Sequence, residues 1–230
     1  MNKVSALSDL LLPQGFVKKQ GVLLRNHLNE SVQVIQLVPD SFSRSNITIS
    51  VFSIYQEQVR LWISAPKSFP ANYQVTAFET RSRGYDPLSG SAETEALKSA
   101  VLPALNDISS QNQLLSLLRS LDDASYGGGY LLNENRIYPA LAAKRYEEAG
   151  RIINAILQQH RDAEERMKKH LNASEFADYC SASQRKDKSI VQVKTWIEGG
   201  QAPLIEQFLD RARIDNLNAL AENGIARFEA

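Results

Sequence analysis

Arg81 and Arg83 stand two residues apart at the end of a predicted strand, just before Gly84 and Tyr85. Side chains at that spacing leave a strand on the same face. Two guanidinium groups so placed can grip a carboxylate or a phosphate through their forked N–H donors. Solvated charges at an exposed strand end are the plainer account of the same pair. Lys18, Lys19 and Arg25 would enlarge it to a basic patch if their strands lie side by side. These five residues form the candidate binding site, and a small-molecule or nucleotide ligand at the strand end is one of two functional readings.

Other chemistries find few residues to work with. Tyr126-Gly-Gly-Gly-Tyr130 is the most conspicuous local feature, but Leu131 and Leu132 follow it. A phosphate-cradling loop needs a Lys and a Ser or Thr there, or a glycine spacing that opens a helix after a strand, so the segment reads first as a linker. The three histidines are His27, His160 and His170. His160 and His170 are separated by about 15 Å along a helix and cannot share one ion within it. His160 and Glu164 could meet on one helix face, although Arg161, Glu165 and Arg166 around them suit a solvated surface. His27 falls in a predicted turn. Cys180 lies in a helical stretch without the glycine elbow or neighbouring base that activates a nucleophile. Glu147-Glu148 and Glu164-Glu165 are adjacent helix residues that diverge by about 100°. We therefore expect no catalytic residues, no metal site and no cofactor, and a protein that is not an enzyme.

Composition narrows the class further. The chain has 230 residues, with 26 Lys+Arg against 26 Asp+Glu. The charges divide evenly, 11 of each sign up to residue 130 and 15 of each beyond. A non-specific nucleic-acid binder carries a basic excess to neutralise phosphates, so the balance argues against that partner. With 43% apolar residues the chain can build a substantial core. A single cysteine rules out an intrachain disulfide and fits a reducing compartment. No apolar run is long enough to span a bilayer, and the expected location is the cytoplasm.

The elements that must carry these residues follow from periodicity. Val4, Leu7, Leu10 and Leu11 repeat at helical spacing, and Pro13 with Gly15 ends that helix. Phe16–Arg25 follows as an extended stretch, with Val22, Leu23 and Leu24 β-prone and Gly21 a candidate bulge, and Asn26–Asn29 reads as a turn. Ser31–Val38 is apolar on both faces, the mark of a central strand. Ile47, Ile49 and Val51 alternate with polar residues, and then Phe52 and Ile54 take over the apolar phase, which predicts a β-bulge. Val59, Leu61 and Ile63 alternate again as a strand, and Tyr73, Val75 and Ala77 open a last one reaching Arg81. After Gly90 the pattern turns helical: 93–106, 110–121, a helix around Ile137 and Leu141, a long helix through Ala149, Ile152, Ile153 and Ile156, then 174–182, 188–198 and 203–222. Connections too short for helical crossovers imply an antiparallel meander. The expected fold class is α+β: a leading helix, four or five strands, then an all-helical region. The expected units are 1–125 and 130–230.

Leu10-Leu-Leu-Pro-Gln-Gly-Phe-Val-Lys-Lys19, followed by Arg25, resembles the opening of a bacterial family classed as a domain of unknown function. Val34-Ile-Gln36 is similar to that family's next strand, and Leu102-Pro-Ala-Leu-Asn-Asp107 with Leu114 and Leu115 to its helix after the sheet. The resemblance covers about residues 7–120, and the chain departs from it by a helical extension beyond about residue 145. Members of the family are associated with toxin–immunity and defence-type gene neighbourhoods. The resemblance thus implies a protein-binding, immunity-like role with another protein as partner. It supplies no catalytic residues to carry over. This protein-interaction reading is the primary expectation for function.

Overall fold

The computed structural model describes residues 3–39, 45–68, 73–74, 93–124 and 133–229. It is an α+β protein built on one sheet. Helix α1 (Lys3–Leu11) leads into strands β1 (Val17–Lys19), β2 (Val22–His27), β3 (Ser31–Pro39) and β4 (Ser45–Ser53). A short helix α2 (Val59–Ser64) and strand β5 (Tyr73–Gln74) follow. Helix α3 runs through Glu93–Ala96, a π turn at Leu97–Val101 and Leu102–Asn106. Then come α4 (Gln111–Ala124), α5 (Asn133–Ala142), α6 (Tyr146–Met167), α7 (Ala173–Glu198) and α8 (Ala202–Glu222), and a closing strand β6 (Arg227–Phe228).

The first five strands form an antiparallel meander in the order β1-β2-β3-β4-β5, and β6 pairs parallel with β2. Tight turns set the register. Gln20 and Gly21 both have positive φ between β1 and β2, the backbone of a two-residue hairpin turn. Gly21 is therefore a turn residue rather than a bulge. Leu28 and Asn29 have positive φ as well, and Glu30 N–H closes onto the His27 carbonyl at 2.9 Å. Asn26 and His27, expected in this turn, are instead the last residues of β2.

Sheet alternation explains the buried layers. Leu23, Ile35, Ile49 and Val51 share one face and pack with Leu11, Phe16, Leu97, Leu105 and Leu118 from α1, the β1 approach, α3 and α4. Leu24, Val32, Val34 and Phe52 share the other and pack with Val59, Ile63, Leu220 and Ile225. Because both faces are covered, Val51 and Phe52 are each fully buried in an unbroken register from Ser31↔Ser53 to Pro39↔Ser45. The bulge expected at that point is absent; the phase shift in the sequence reflects two-sided burial.

Residues 59–63 are helical, not extended. Val59 and Ile63, four apart, are buried together while Leu61 is 61% exposed, a helical face that a two-residue alternation mimics over so short a run. The two helices expected at 174–182 and 188–198 are one, α7, whose start is fixed by a capping box between Asn172 and Glu175. The expected strand beyond Gln74 and the glycine run at 127–129 lie outside the described residues.

A third cluster joins α5 to α8, with Ile137, Leu141, Ile153, Ile156, Val193 and Leu209 at its centre. Its links to the sheet cross the expected division between 1–125 and 130–230. Leu115 of α4 belongs to it, and Asn216 of α8 donates to the carbonyls of Ile54 and Gln56 at 2.6 and 2.9 Å. Two-sided burial makes both halves of the β4 pattern costly to disturb. Ile49→Ala should lower unfolding free energy by about 2–5 kcal/mol and Phe52→Ala by about 3–5 kcal/mol in urea titrations. An effect below about 1 kcal/mol at either position would contradict a sheet covered on both sides.

Candidate functional site

Of the five basic candidates, the structure describes Lys18, Lys19 and Arg25. Arg81 and Arg83 lie outside the described residues. Lys18 is exposed and Lys19 half-buried, and as adjacent strand residues they leave β1 on opposite faces. Arg25 is fully buried and so takes no part in a surface patch with them.

What Arg25 builds is an internal polar row. It follows Leu23 on the sheet face that packs under α1, α3 and α4, and its cross-strand partner is Gln33. Arg25 Nε donates to Gln33 Oε1 at 2.9 Å, and Nη2 donates to the same oxygen. Nη1 donates to the carbonyl of Gln14 at 3.0 Å. The guanidinium carbon lies 4.6 Å from the Phe16 ring centre and 4.9 Å from that of Phe228. The cation is thus held between an aromatic ring near the start of the chain and another from β6. Burial lowers the Arg25 pKa to about 10, still well above neutrality. Among the described residues its hydrogen-bond acceptors are neutral, so the rings and amide oxygens take the place of a carboxylate.

The row continues along the same face. Gln33 Nε2 donates to the carbonyl of Leu105 at 2.9 Å. His27 Nε2 lies 3.1 Å from the carbonyl of Asn106; a carbonyl accepts only, so this nitrogen carries the proton. Both carbonyls sit at the C-terminal end of α3, where the helix has no backbone donors left to offer. On the next helix, Ser53 Oγ donates to Gln111 Oε1 at 2.7 Å, and Gln111 Nε2 donates to the carbonyl and the carboxylate of Glu30, each at 2.8 Å. The sheet thus terminates α3 and positions the first turn of α4 through side chains. Gln33, Gln111 and Phe228 have no place among the sequence candidates, and His27, expected in a turn, instead ends β2 and faces the Asn106 carbonyl. The available signal was the cross-strand spacing of Arg25 and His27 against Ser31 and Gln33, at one end of an otherwise apolar face.

A second feature is on the surface. Between Ile156 of α6 and Ile190 of α7, no residue with a described side chain is buried. These distal halves form an antiparallel helical arm clear of the three cores. Met167, Leu171, Phe176 and Tyr179 of the arm are half-buried. His160 Nδ1 lies 2.7 Å from Asp187 Oδ1 across the seam, so the histidine meets a residue of the facing helix. Cys180, on the same helix as Asp187, is half-buried.

A hollow of about 530 Å³ is walled by α8 alone, from Pro203 to Asp215, and groups from separate elements do not converge there. No cluster of three His, Cys, Asp or Glu side chains suited to a metal occurs among the described residues. None of the described helices is long and apolar enough to cross a membrane. Comparison of the chain with family models, curated proteins and solved structures finds no match. The resemblance noted above therefore rests on its short motifs alone.

Two tests address the polar row. Arg25→Ala opens the gap between the rings and strips two acceptors of their donor, at an expected cost of about 2–4 kcal/mol in chemical denaturation. Arg25→Met keeps more of the ring packing and should cost less; equal costs would show that packing between the rings contributes nothing. His27 is held below its ordinary pKa of 6.5, first by burial and then by the Arg25 charge. Its contribution is complete above about pH 6.5 and is lost as pH falls toward the lowered folded-state value, because the unfolded chain then binds the proton more readily. His27→Gln retains a donor for the Asn106 carbonyl and should flatten the fall in melting temperature between about pH 7 and 5. An unchanged slope would exclude His27 as its source.

Proposed function

We propose that the chain is a non-catalytic protein-binding module whose contact element is the α6–α7 arm. One observation carries the reading: long, well-formed helices continue past Ile156 and resume only at Ile190 to bury anything. Helices in water draw most of their stability from packing an apolar face. An arm that packs on no core of its own chain gains that stabilisation from a partner surface. The even charge of the chain favours a protein partner over nucleic acid. The half-buried Phe176 and Tyr179 are the kind of aromatic residue on which interfaces concentrate their energy. An immunity-like role, in which the arm engages and blocks a second protein, is the form of this function that the family resemblance implies.

Shortening the arm tests the proposal. Arg161–Lys186 would be replaced by a short glycine-rich turn, keeping the His160–Asp187 pair as the last rung. The three cores stay intact, so the melting temperature should shift by less than about 4 °C. A partner cross-linked through a photoreactive group at position 176 of the full chain should no longer bind the shortened one. Retained binding of that partner would refute the arm as the contact element.

A further inference from the structure

The outer edge of β2 is shared between two short strands. β1 covers Val22–Leu24, and β6 covers Asn26 and His27. The β6 segment is held at few points. Two of its residues pair with β2, and its Phe228 carbonyl accepts from Leu28 N–H at 3.0 Å. Ile225 is buried against the sheet. Phe228 enters a slot made by Gly15, Phe16 and Arg25. The slot is shaped for a ring, because a Cβ on Gly15 would run into the Phe228 ring, and the Gly15 φ of +77° disfavours any such side chain in its own right. Ala226, Arg227 and Glu229 between and beyond these anchors are exposed. The Arg227–Glu229 ion pair on the surface adds little. Gly224, at φ +70°, turns the chain from α8 into the segment.

We propose that this edge of β2 is a docking site for an extended peptide segment, occupied in the resting protein by the chain's own residues 225–228. The segment it recognises runs parallel to β2 and places an apolar residue three positions before an aromatic one, as Ile225 and Phe228 do. Strand addition supplies backbone hydrogen bonds, and the two pockets supply specificity. The aromatic ring completes the stack on Arg25, whose guanidinium face accepts any flat ring of that size. A cis segment held at two side chains belongs to the low-stability end of a fold, so a partner's strand of the same pattern can replace it. This site is separate from the α6–α7 arm.

Two experiments decide it. Hydrogen exchange on the unmodified full chain should show the Leu28 amide exchanging at least about tenfold faster than that of Val34 in β3. Equal protection would mean that the segment leaves only on global unfolding, and would overturn the proposal. A fluorescent peptide carrying residues 223–229 is then titrated into the full chain and into its Phe228→Ala variant. It should bind the variant at least about tenfold more tightly, since the cis competitor is weakened. Replacing the peptide's phenylalanine by alanine, or Gly15→Val in the protein, should abolish that gain. Equal binding by both chains, or none to a folded variant, would also overturn the proposal. Removal of the arm should leave the peptide affinity unchanged, which separates this outcome from that of the arm.

Discussion

A guanidinium whose described hydrogen-bond acceptors are all neutral has to be stabilised by whatever surrounds it, and here the surroundings are the parts of the chain that most need fixing. Arg25 is buried in β2 and bonded to Gln33 of the neighbouring strand and to the carbonyl that ends the turn after α1. It lies over the rings of Phe16 and Phe228. Removing such a cation from water costs several kcal/mol. Forked hydrogen bonds and two desolvated ring contacts offset it only while all of these groups are in place. The cost acts as a condition on assembly. The leading segment and the central strands hold the cation, and the segment after α8 completes its cover.

The same logic runs down the row. His27 and Gln33 accept the task of ending α3 by donating to the carbonyls of Asn106 and Leu105. A helix that stops against a sheet without such donors would bury unpaired carbonyls. Gln111 ties the start of α4 to Glu30 and Ser53. The polar side chains thus decide where the helices begin and end on the sheet, while Ile35, Ile49, Leu97 and Leu105 belong to the apolar cluster that packs the helices against it.

The sequence was most legible where one rule acted alone. The core helices announce themselves at Ala149, Ile152, Ile153 and Ile156, and β3 as a strand apolar on both faces, because burial there repeats over many residues. It misled where a short pattern satisfied two rules. Val59 and Ile63 fit a strand at period two and a helix at spacing four, and the tertiary contact with α8 decides for the helix. The apolar change of phase at Val51 and Phe52 looks like a bulge only if one face of the sheet is assumed to be wet. Arg25 was read as surface charge because residue type says nothing about cover; the cover comes from Phe228, about two hundred positions away, in a strand too brief to leave a periodic mark. Its burial sets Arg25 apart from the exposed Lys18, while Arg81 and Arg83 lie outside the described residues.

The pairing of Asn26 with Arg227 also sets a timetable. Every other strand contact in the meander joins near neighbours in sequence, and each helix closes on itself, so most of the structure can form from local encounters. Strand β6 is different: it reaches β2 only after the chain from α3 to α8 has been made and folded back. Contacts of that range carry the largest closure entropy and form last. Until then the outer edge beside His27 stands open, and a chain emerging during synthesis presents an unpaired strand end to its surroundings. Lys18 and Lys19 on the adjoining β1 are charged neighbours of the kind that discourage stray strands from adding to such an edge.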